Sequence, residues 1–193
     1  MRLEDFLRHF VAAAEAADLR FARTQHTGDI RAGIELWEQL ADAVDEAPPE
    51  LGVRARLAAA ALYSRRFEVQ GGAGDLVAAR RELDAAREHI APGSRADFQA
   101  RMALAAWLVL RYRAEREPAD LDAAIALWRE LRPTPAGALA AANLGRALLA
   151  RFSLTGERAD LEEAQRLLGV ASSEMPRDHP ALPDVRLALR TSG

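Results

Sequence analysis

A block of residues with fixed spacing occurs four times in this 193-residue sequence, and it constrains the fold more than any other feature. Each copy starts with an arginine and an aromatic residue, and an aspartate stands eight residues after the aromatic. These positions are Arg20, Phe21 and Asp29; Arg66, Phe67 and Asp75; Arg111, Tyr112 and Asp120; and Arg151, Phe152 and Asp160. A small residue follows each aspartate by four positions, and a Trp or Leu follows it by eight. Because the columns align without a gap at periods of 46, 45 and 40 residues (aromatic positions 21, 67, 112 and 152), they predict a repeat protein.

Each copy is predicted to form two antiparallel helices joined by a loop. The aspartate is placed as the N-cap of the second helix, where its carboxylate accepts a backbone N–H, and Asp160 with Glu163 predicts a capping box. Thr134 before Pro135 is typical of a helix start. The predicted helices are residues 3–24, 30–46, 50–69, 76–90, 95–115, 121–132, 135–154, 161–172 and about 180–190.

The predicted fold is all-α, a single domain over residues 1–193. Its repeats are placed at about 3–46, 50–90, 95–132 and 135–172. The terminal helix at 180–190 resembles the opening of a fifth repeat. That segment fits two interpretations: a cap on the fourth repeat, or the point at which a longer chain continues.

Small residues stand seven positions before each aromatic, where they allow two helix backbones to approach closely. They are Ala14, Ala60, Ala105 and Gly145. Trp37 and Trp128 share the column eight residues after the aspartate, which predicts that both belong to the core. Trp107 falls outside these columns, so two interpretations stay open for it: a core residue, or an exposed anchor for a partner.

Composition excludes several classes of protein. The chain contains no cysteine, which excludes disulfides, thiolate metal sites and a cysteine nucleophile. All 26 basic residues are arginine and the net charge is −3, so the basic excess typical of a nucleic-acid-binding protein is missing. No apolar run reaches the ~18 residues of a membrane span, and the N-terminus lacks a signal-peptide pattern. We therefore expect a cytoplasmic protein without nucleic-acid or membrane partners.

The fourth copy resembles the tetratricopeptide repeat, whose helix pair is encoded by a Leu-Gly pair, an aromatic residue or Leu three positions later, and downstream Ala, Phe and Ala positions. The residues that carry the resemblance are Leu144, Gly145, Leu148, Ala164, Leu168 and Ala171. The copies are longer than the usual ~34 residues, and the extended form is similar to arrays in actinobacterial proteins. The resemblance implies a right-handed α-solenoid of four repeats and a short C-terminal helix, with a concave groove that binds a protein or peptide and catalyses nothing.

In that family the first helix of each pair lines the groove. The resemblance therefore assigns ligand contacts to Arg8, Arg54, Arg65, Gln99, Asn143 and Arg146, and Trp107 is a further candidate contact, as an exposed anchor. Asn143 and Arg146 fall where some family members hold a ligand carboxylate, because amide and guanidinium donors converge there. A partner with an acidic group is expected. The arginines that precede the aromatics could form an anion-binding stripe, but we favour helix capping or ion pairs between repeats.

No cofactor or metal site is predicted. His9, His26, His89 and His179 lack metal-ligand spacing, and the Gly-rich segment 71–74 lacks the ending of a phosphate loop, so we expect it to serve a longer turn in the second copy. Two alternatives to the binding scaffold stay open. One is a self-associating regulatory module, or a fragment of a larger signalling protein, which implies a homo-oligomer. The other is an all-α small-molecule sensor or enzyme with a pocket near Trp107 and Met102, for which Glu15 is the one inward carboxylate.

Overall fold

The computed structural model describes residues 3–24, 26–43, 49–132 and 137–192, and the regular secondary structure of these residues is helical throughout. The helices follow one another along the chain with short links where the links are described. They are α1 (Leu3–Thr24), α2 (Thr27–Asp42), α3 (Pro49–Gln70), α4 (Ala73–Arg87), α5 (Arg95–Glu115), α6 (Pro118–Leu131), α7 (Gly137–Thr155), α8 (Arg158–Glu174) and α9 (Leu182–Thr191). The all-α prediction is confirmed for the described part of the chain.

Residue contacts divide the chain into two compact units, Met1–Leu110 and Arg111–Gly193. In unit 1, α1 packs on α2, α2 on α3 and α3 on α4; in unit 2, α6 packs on α7, α7 on α8 and α8 on α9. The helices of each of these pairs are neighbours in sequence, as in a helical repeat. The single domain over residues 1–193 stays a prediction, and the two units are described separately below.

The second helix of each copy begins three residues earlier than predicted. It starts at residues 27, 73, 118 and 158, instead of 30, 76, 121 and 161. The prediction that the aspartates are N-caps is therefore wrong, because each lies at the third helical position. The N-caps are His26, Gly72, Glu117 and Glu157.

The capping box at Asp160 is wrong for the same reason. The carboxylate of Glu163 accepts a 2.6 Å hydrogen bond from Arg129, in the helix α6. The predicted helix start at Thr134 and Pro135, and the end of α2 beyond residue 43, lie outside the described residues.

The small-residue columns lie where helices meet. Ala14, Ala60 and Ala105 are at most 1% exposed. At Gly145 an added Cβ would lie 2.9 Å from Cγ of Leu168 and 3.2 Å from the carbonyl oxygen of Ala164. A side chain at Gly145 would therefore force α7 away from α8. The predicted burial of Trp37 and Trp128 is confirmed, with 2% and 3% of each side chain exposed.

Length and hydropathy together bear on membrane insertion. Within the described residues, every helix is too short or too polar to cross a lipid bilayer.

Candidate functional sites

The two helices of each copy are joined by the same two-residue turn wherever both turn residues are described. Its first residue has a left-handed backbone, with φ of 73° at Gly71, 62° at Arg116 and 71° at Gly156. The N–H of that residue donates a 2.8 Å hydrogen bond to the carbonyl of the aromatic four residues earlier. The second residue is extended and is the N-cap of the next helix. This geometry ends one helix and starts the next with no free loop between them.

Gly71 and Gly72 have this role in the second copy. Ala73 already opens α4, so the longer turn expected there is wrong, and the turn has the same length as the others.

The turn brings the arginine and the aspartate of the repeated block into contact within one copy. The aspartate carboxylate accepts hydrogen bonds from the arginine nine residues earlier. One such bond in each copy has a donor–acceptor distance of 3.1 Å for Arg20–Asp29, 2.6 Å for Arg66–Asp75, 2.6 Å for Arg111–Asp120 and 2.7 Å for Arg151–Asp160. These pairs lie within a copy, so our preference for helix capping or pairs between repeats is wrong in general. The fourth arginine is a partial exception, because Nη1 of Arg151 also donates to Asp122 of the preceding copy at 2.7 Å.

Burial of the aspartates explains why each is paired with an arginine. Asp75, Asp120 and Asp160 are at most 7% exposed, and a buried carboxylate needs a partner. The hydrogen bonds from Arg151 hold the pKa of Asp160 below its usual range, and Asp160 and Asp122 together raise the pKa of Arg151. The arginines are thus directed at their own copy's aspartate, which leaves no free stripe of four guanidinium groups for an anion.

In unit 1 the groove residues predicted on α1 and α3 already contact other side chains. Arg54 forms an ion pair with Glu15 and lies over the ring of Trp37 at 5.7 Å. Arg65 lies over the ring of Phe21 at 5.8 Å. These contacts join the first copy to the second, so both arginines help to stack the helices of unit 1.

The other predicted positions of unit 1 differ in exposure. Arg8 and Gln99 are exposed, and Arg8 has an interaction partner. Trp107 is only 4% exposed, and its indole N–H donates a 2.8 Å hydrogen bond to the carbonyl of Leu76. The interpretation of Trp107 as an exposed anchor is therefore wrong, because the ring is covered and its polar atom is satisfied.

In unit 2 the predicted groove positions on α7 are Asn143 and Arg146, one helical turn apart. Arg146 is exposed and Asn143 is half-buried. Within the part of the chain that the structure describes, neither side chain has a hydrogen-bond or ion-pair partner. Half-buried Leu139 and Leu149 lie on the same face, four residues before Asn143 and three after Arg146. This face of α7 offers free amide and guanidinium donors between two apolar side chains.

A polar network between α2, α3 and α4 was not predicted from the sequence. Tyr63 donates a 2.6 Å hydrogen bond to Glu38, which also accepts from Arg81 at 3.0 Å. Glu82, 3% exposed, is held by Arg81 and by Arg56 at 3.1 Å. Burial and the contact with Glu38 raise the pKa of Tyr63 to about 12.

One signal could have revealed this network. Glu82 stands in a column that holds leucine in the other copies, and those residues are Leu36, Leu127 and Leu167. A carboxylate in an apolar column requires a charged partner.

A polar cleft of about 580 Å³ opens in unit 1 beside the turns of the first two copies. It is lined by His26, Thr27, Gly28, Arg31, Arg66, Gln70, Gly72 and Asp75. The imidazole Nδ1 of His26 accepts a 3.2 Å hydrogen bond from the N–H of Gly28. None of the residues predicted to bind a ligand lines this cleft.

The described residues contain no group of three or more His, Asp or Glu side chains that could hold a metal ion. Comparisons with protein-family models, with curated proteins and with solved structures find no match to the chain. The tetratricopeptide resemblance therefore stays a prediction from sequence motifs.

Proposed function

We propose that this chain is a non-catalytic binding protein built as a tetratricopeptide-like, right-handed α-solenoid of four helix pairs. It presents the first helix of a pair to a protein or peptide partner. Two features support the architecture: the sequential packing of neighbouring helices within each unit, and the close approach of α7 and α8 at Gly145.

The observation that carries the function is the pair of free donors on α7. The arginines of the turns are bound to aspartates, and Arg54 and Arg65 contact other side chains. Asn143 and Arg146, in contrast, have no partner among the described residues. An amide and a guanidinium one turn apart can together bind one carboxylate, and the leucines beside them can contact apolar side chains. The face suits a peptide that carries an acidic residue next to a leucine-like one.

Replacing Arg146 by Glu tests this assignment. We expect a panel of nine-residue peptides containing Leu with Asp or Glu to include binders, and their affinity for the variant to fall about tenfold or more, because a charged hydrogen bond becomes a repulsion. Fluorescence anisotropy with labelled peptides measures this dissociation constant. The free energy of unfolding should change by less than about 0.5 kcal/mol, since Arg146 is exposed.

Arg166→Glu is the matched control. Arg166 is exposed on α8, in the same unit, so its substitution makes the same charge change on a different helix and should leave the affinity unaltered. Equal affinities of wild type and the Arg146 variant would remove Asn143 and Arg146 from the binding site.

A further inference from the structure

The cleft in unit 1 and an ion pair in unit 2 occupy corresponding places between consecutive copies. In unit 2, Asp122 stands two residues after the aspartate of the third copy, and its carboxylate contacts Nη1 of Arg151 in the fourth copy at 2.7 Å. The corresponding residues of the first and second copies are Arg31 and Arg66, and both line the cleft. Where unit 2 has a carboxylate in contact with the turn arginine, unit 1 has an arginine at the corresponding position, and this arginine lines the same cleft as Arg66.

The hydrogen bonds of the two turn arginines differ in the same way. Arg151 uses Nε and Nη2 on Asp160 and Nη1 on Asp122. Arg66 uses Nε and Nη2 on Asp75. Within the described residues, its Nη1 has no hydrogen-bond acceptor. In unit 2 the Nη1 donor of the turn arginine is bound by Asp122, whereas in unit 1 the corresponding Nη1 donor of Arg66 can bind another acceptor.

The remaining polar groups of the cleft also suit an anion. Arg31 is exposed and has no partner among the residues that the structure describes. Because Nδ1 of His26 is an acceptor, its proton lies on Nε2, which can donate. Thr27 and Gln70 add a hydroxyl and an amide. Among the described residues that line the cleft, Asp75 is the one carboxylate, and Arg66 already holds it.

We propose that this cleft binds an anionic ligand through a carboxylate or phosphate group held between Arg31 and Arg66. The group takes the position relative to Arg66 that the carboxylate of Asp122 takes relative to Arg151. Two converging guanidinium groups bind oxyanions well, because each supplies several charged donors in a fixed plane. A volume of about 580 Å³ admits a small molecule larger than the anionic group itself.

Arg31→Asp tests the inference, because it gives the first copy the residue that the third copy has. Wild-type protein should bind inorganic phosphate or succinate, detected in two separate NMR titrations by shifts of the amides of residues 26–31 and 70–75. The phosphate and succinate arms distinguish which oxyanion the cleft takes, and binding in either arm supports the site. In the Arg31→Asp variant the new carboxylate should pair with Arg66, and affinity should fall at least about tenfold.

The same variant should be more thermostable than wild type in the absence of the probe, because an ion pair replaces two like charges. This second readout depends on the same geometry without requiring a ligand. Arg166→Asp makes the same change of charge on α8 and is the control for long-range electrostatics, with ionic strength held constant.

Three outcomes would overturn the proposal: no binding of either probe by wild type, equal binding by wild type and Arg31→Asp, or equal loss in Arg166→Asp. The inference does not rest on the proposed function, and the two can fail separately. Arg146→Glu should leave phosphate and succinate binding unchanged, and Arg31→Asp should leave peptide binding at α7 unchanged.

Discussion

At the scale of single residues, Asp18 has one satisfied and one unsatisfied carboxylate oxygen. Its Oδ2 accepts a 3.2 Å hydrogen bond from the indole of Trp37, whereas the buried Oδ1 has no partner among the described residues. The neighbouring Gly33 leaves little room, since an added Cβ there would lie 3.0 Å from Oδ1. Burial raises the pKa of Asp18, partly offset by the hydrogen bond from Trp37. The ionised form of Asp18 is thus less favourable in the folded chain than in the unfolded chain.

Asp18→Asn should therefore stabilise the protein at pH 7. A raised folded-state pKa means that the wild type gains stability as the pH falls through that pKa, because the folded state binds the proton more tightly. The neutral amide has no such dependence, so the advantage of the variant should disappear below the usual pKa of aspartate, 3.8. Thermal unfolding of both proteins between pH 3.5 and 7 measures this difference. Asp178→Asn, at an exposed position, should show no comparable gain, and a variant no more stable than wild type at pH 7 would contradict the account.

The sequence predicted which residues are buried where the same position is apolar in several copies. It did not predict which side chains contact one another between copies. Trp37 and Trp128 occupy one apolar column, and both are buried. The partners of Arg54 and Arg65 depend on residues 39 and 44 positions earlier, Glu15 and Phe21. Such contacts follow from how neighbouring helices are rotated about their axes, which the spacing within one copy does not encode.

At the scale of the helix pair, the two-residue turn depends on a left-handed residue. Gly156 and Gly71 accept this backbone at no steric cost, whereas Arg116 adopts φ of 62° despite its side chain. An added Cβ at Gly156 meets no atom within 4 Å. Substitution there tests the backbone conformation alone, without a steric clash.

Gly156→Arg should lower the free energy of unfolding by about 1 kcal/mol, the cost of left-handed backbone for a residue with a Cβ. Arg116→Gly should raise it by a smaller amount, because the variant also loses the contact of the guanidinium with the ring of Tyr112 at 5.9 Å. Urea denaturation of the two variants and wild type measures both changes. Opposite signs are expected, and a stabilised Gly156→Arg or a destabilised Arg116→Gly would show that the turn is not limited by this residue.

The helices could be predicted from the sequence better than the turns that join them. An aspartate near a helix start is favourable both as an N-cap and within the first turn, where it faces the positive end of the helix dipole. The sequence pattern did not distinguish these positions. What distinguishes them in the structure is the arginine nine residues earlier, which pairs with an aspartate at the third helical position, as Arg151 does with Asp160 in a helix that begins at Arg158.

At the scale of the whole molecule, the repeated sequence blocks predicted the order and type of the helices but not the division of the chain. The boundary between the units falls within α5, between Leu110 and Arg111, where the sequence shows neither a linker nor a change of composition. The candidate anion site was also missed. Arg31 belongs to a variable column (Arg31, Val77, Asp122 and Glu162), and its significance emerges from the contact of Asp122 with Arg151.

Because the chain divides into two compact units, we expect a cavity made by a core substitution to destabilise mainly the unit that contains it. Leu83 in unit 1 and Leu168 in unit 2 occupy the same column and are at most 1% exposed. Leu83→Ala and Leu168→Ala should each cost about 2–5 kcal/mol. Native-state hydrogen exchange should show the loss of protection in α3 and α4 for the first variant and in α7 and α8 for the second, because each helix packs mainly on its sequence neighbours. Leu19→Ala and Leu187→Ala, at positions 60% and 54% exposed, are the controls and should change little. If either core variant instead lowered protection equally in all four helices, the chain would unfold as the single domain that the sequence predicts.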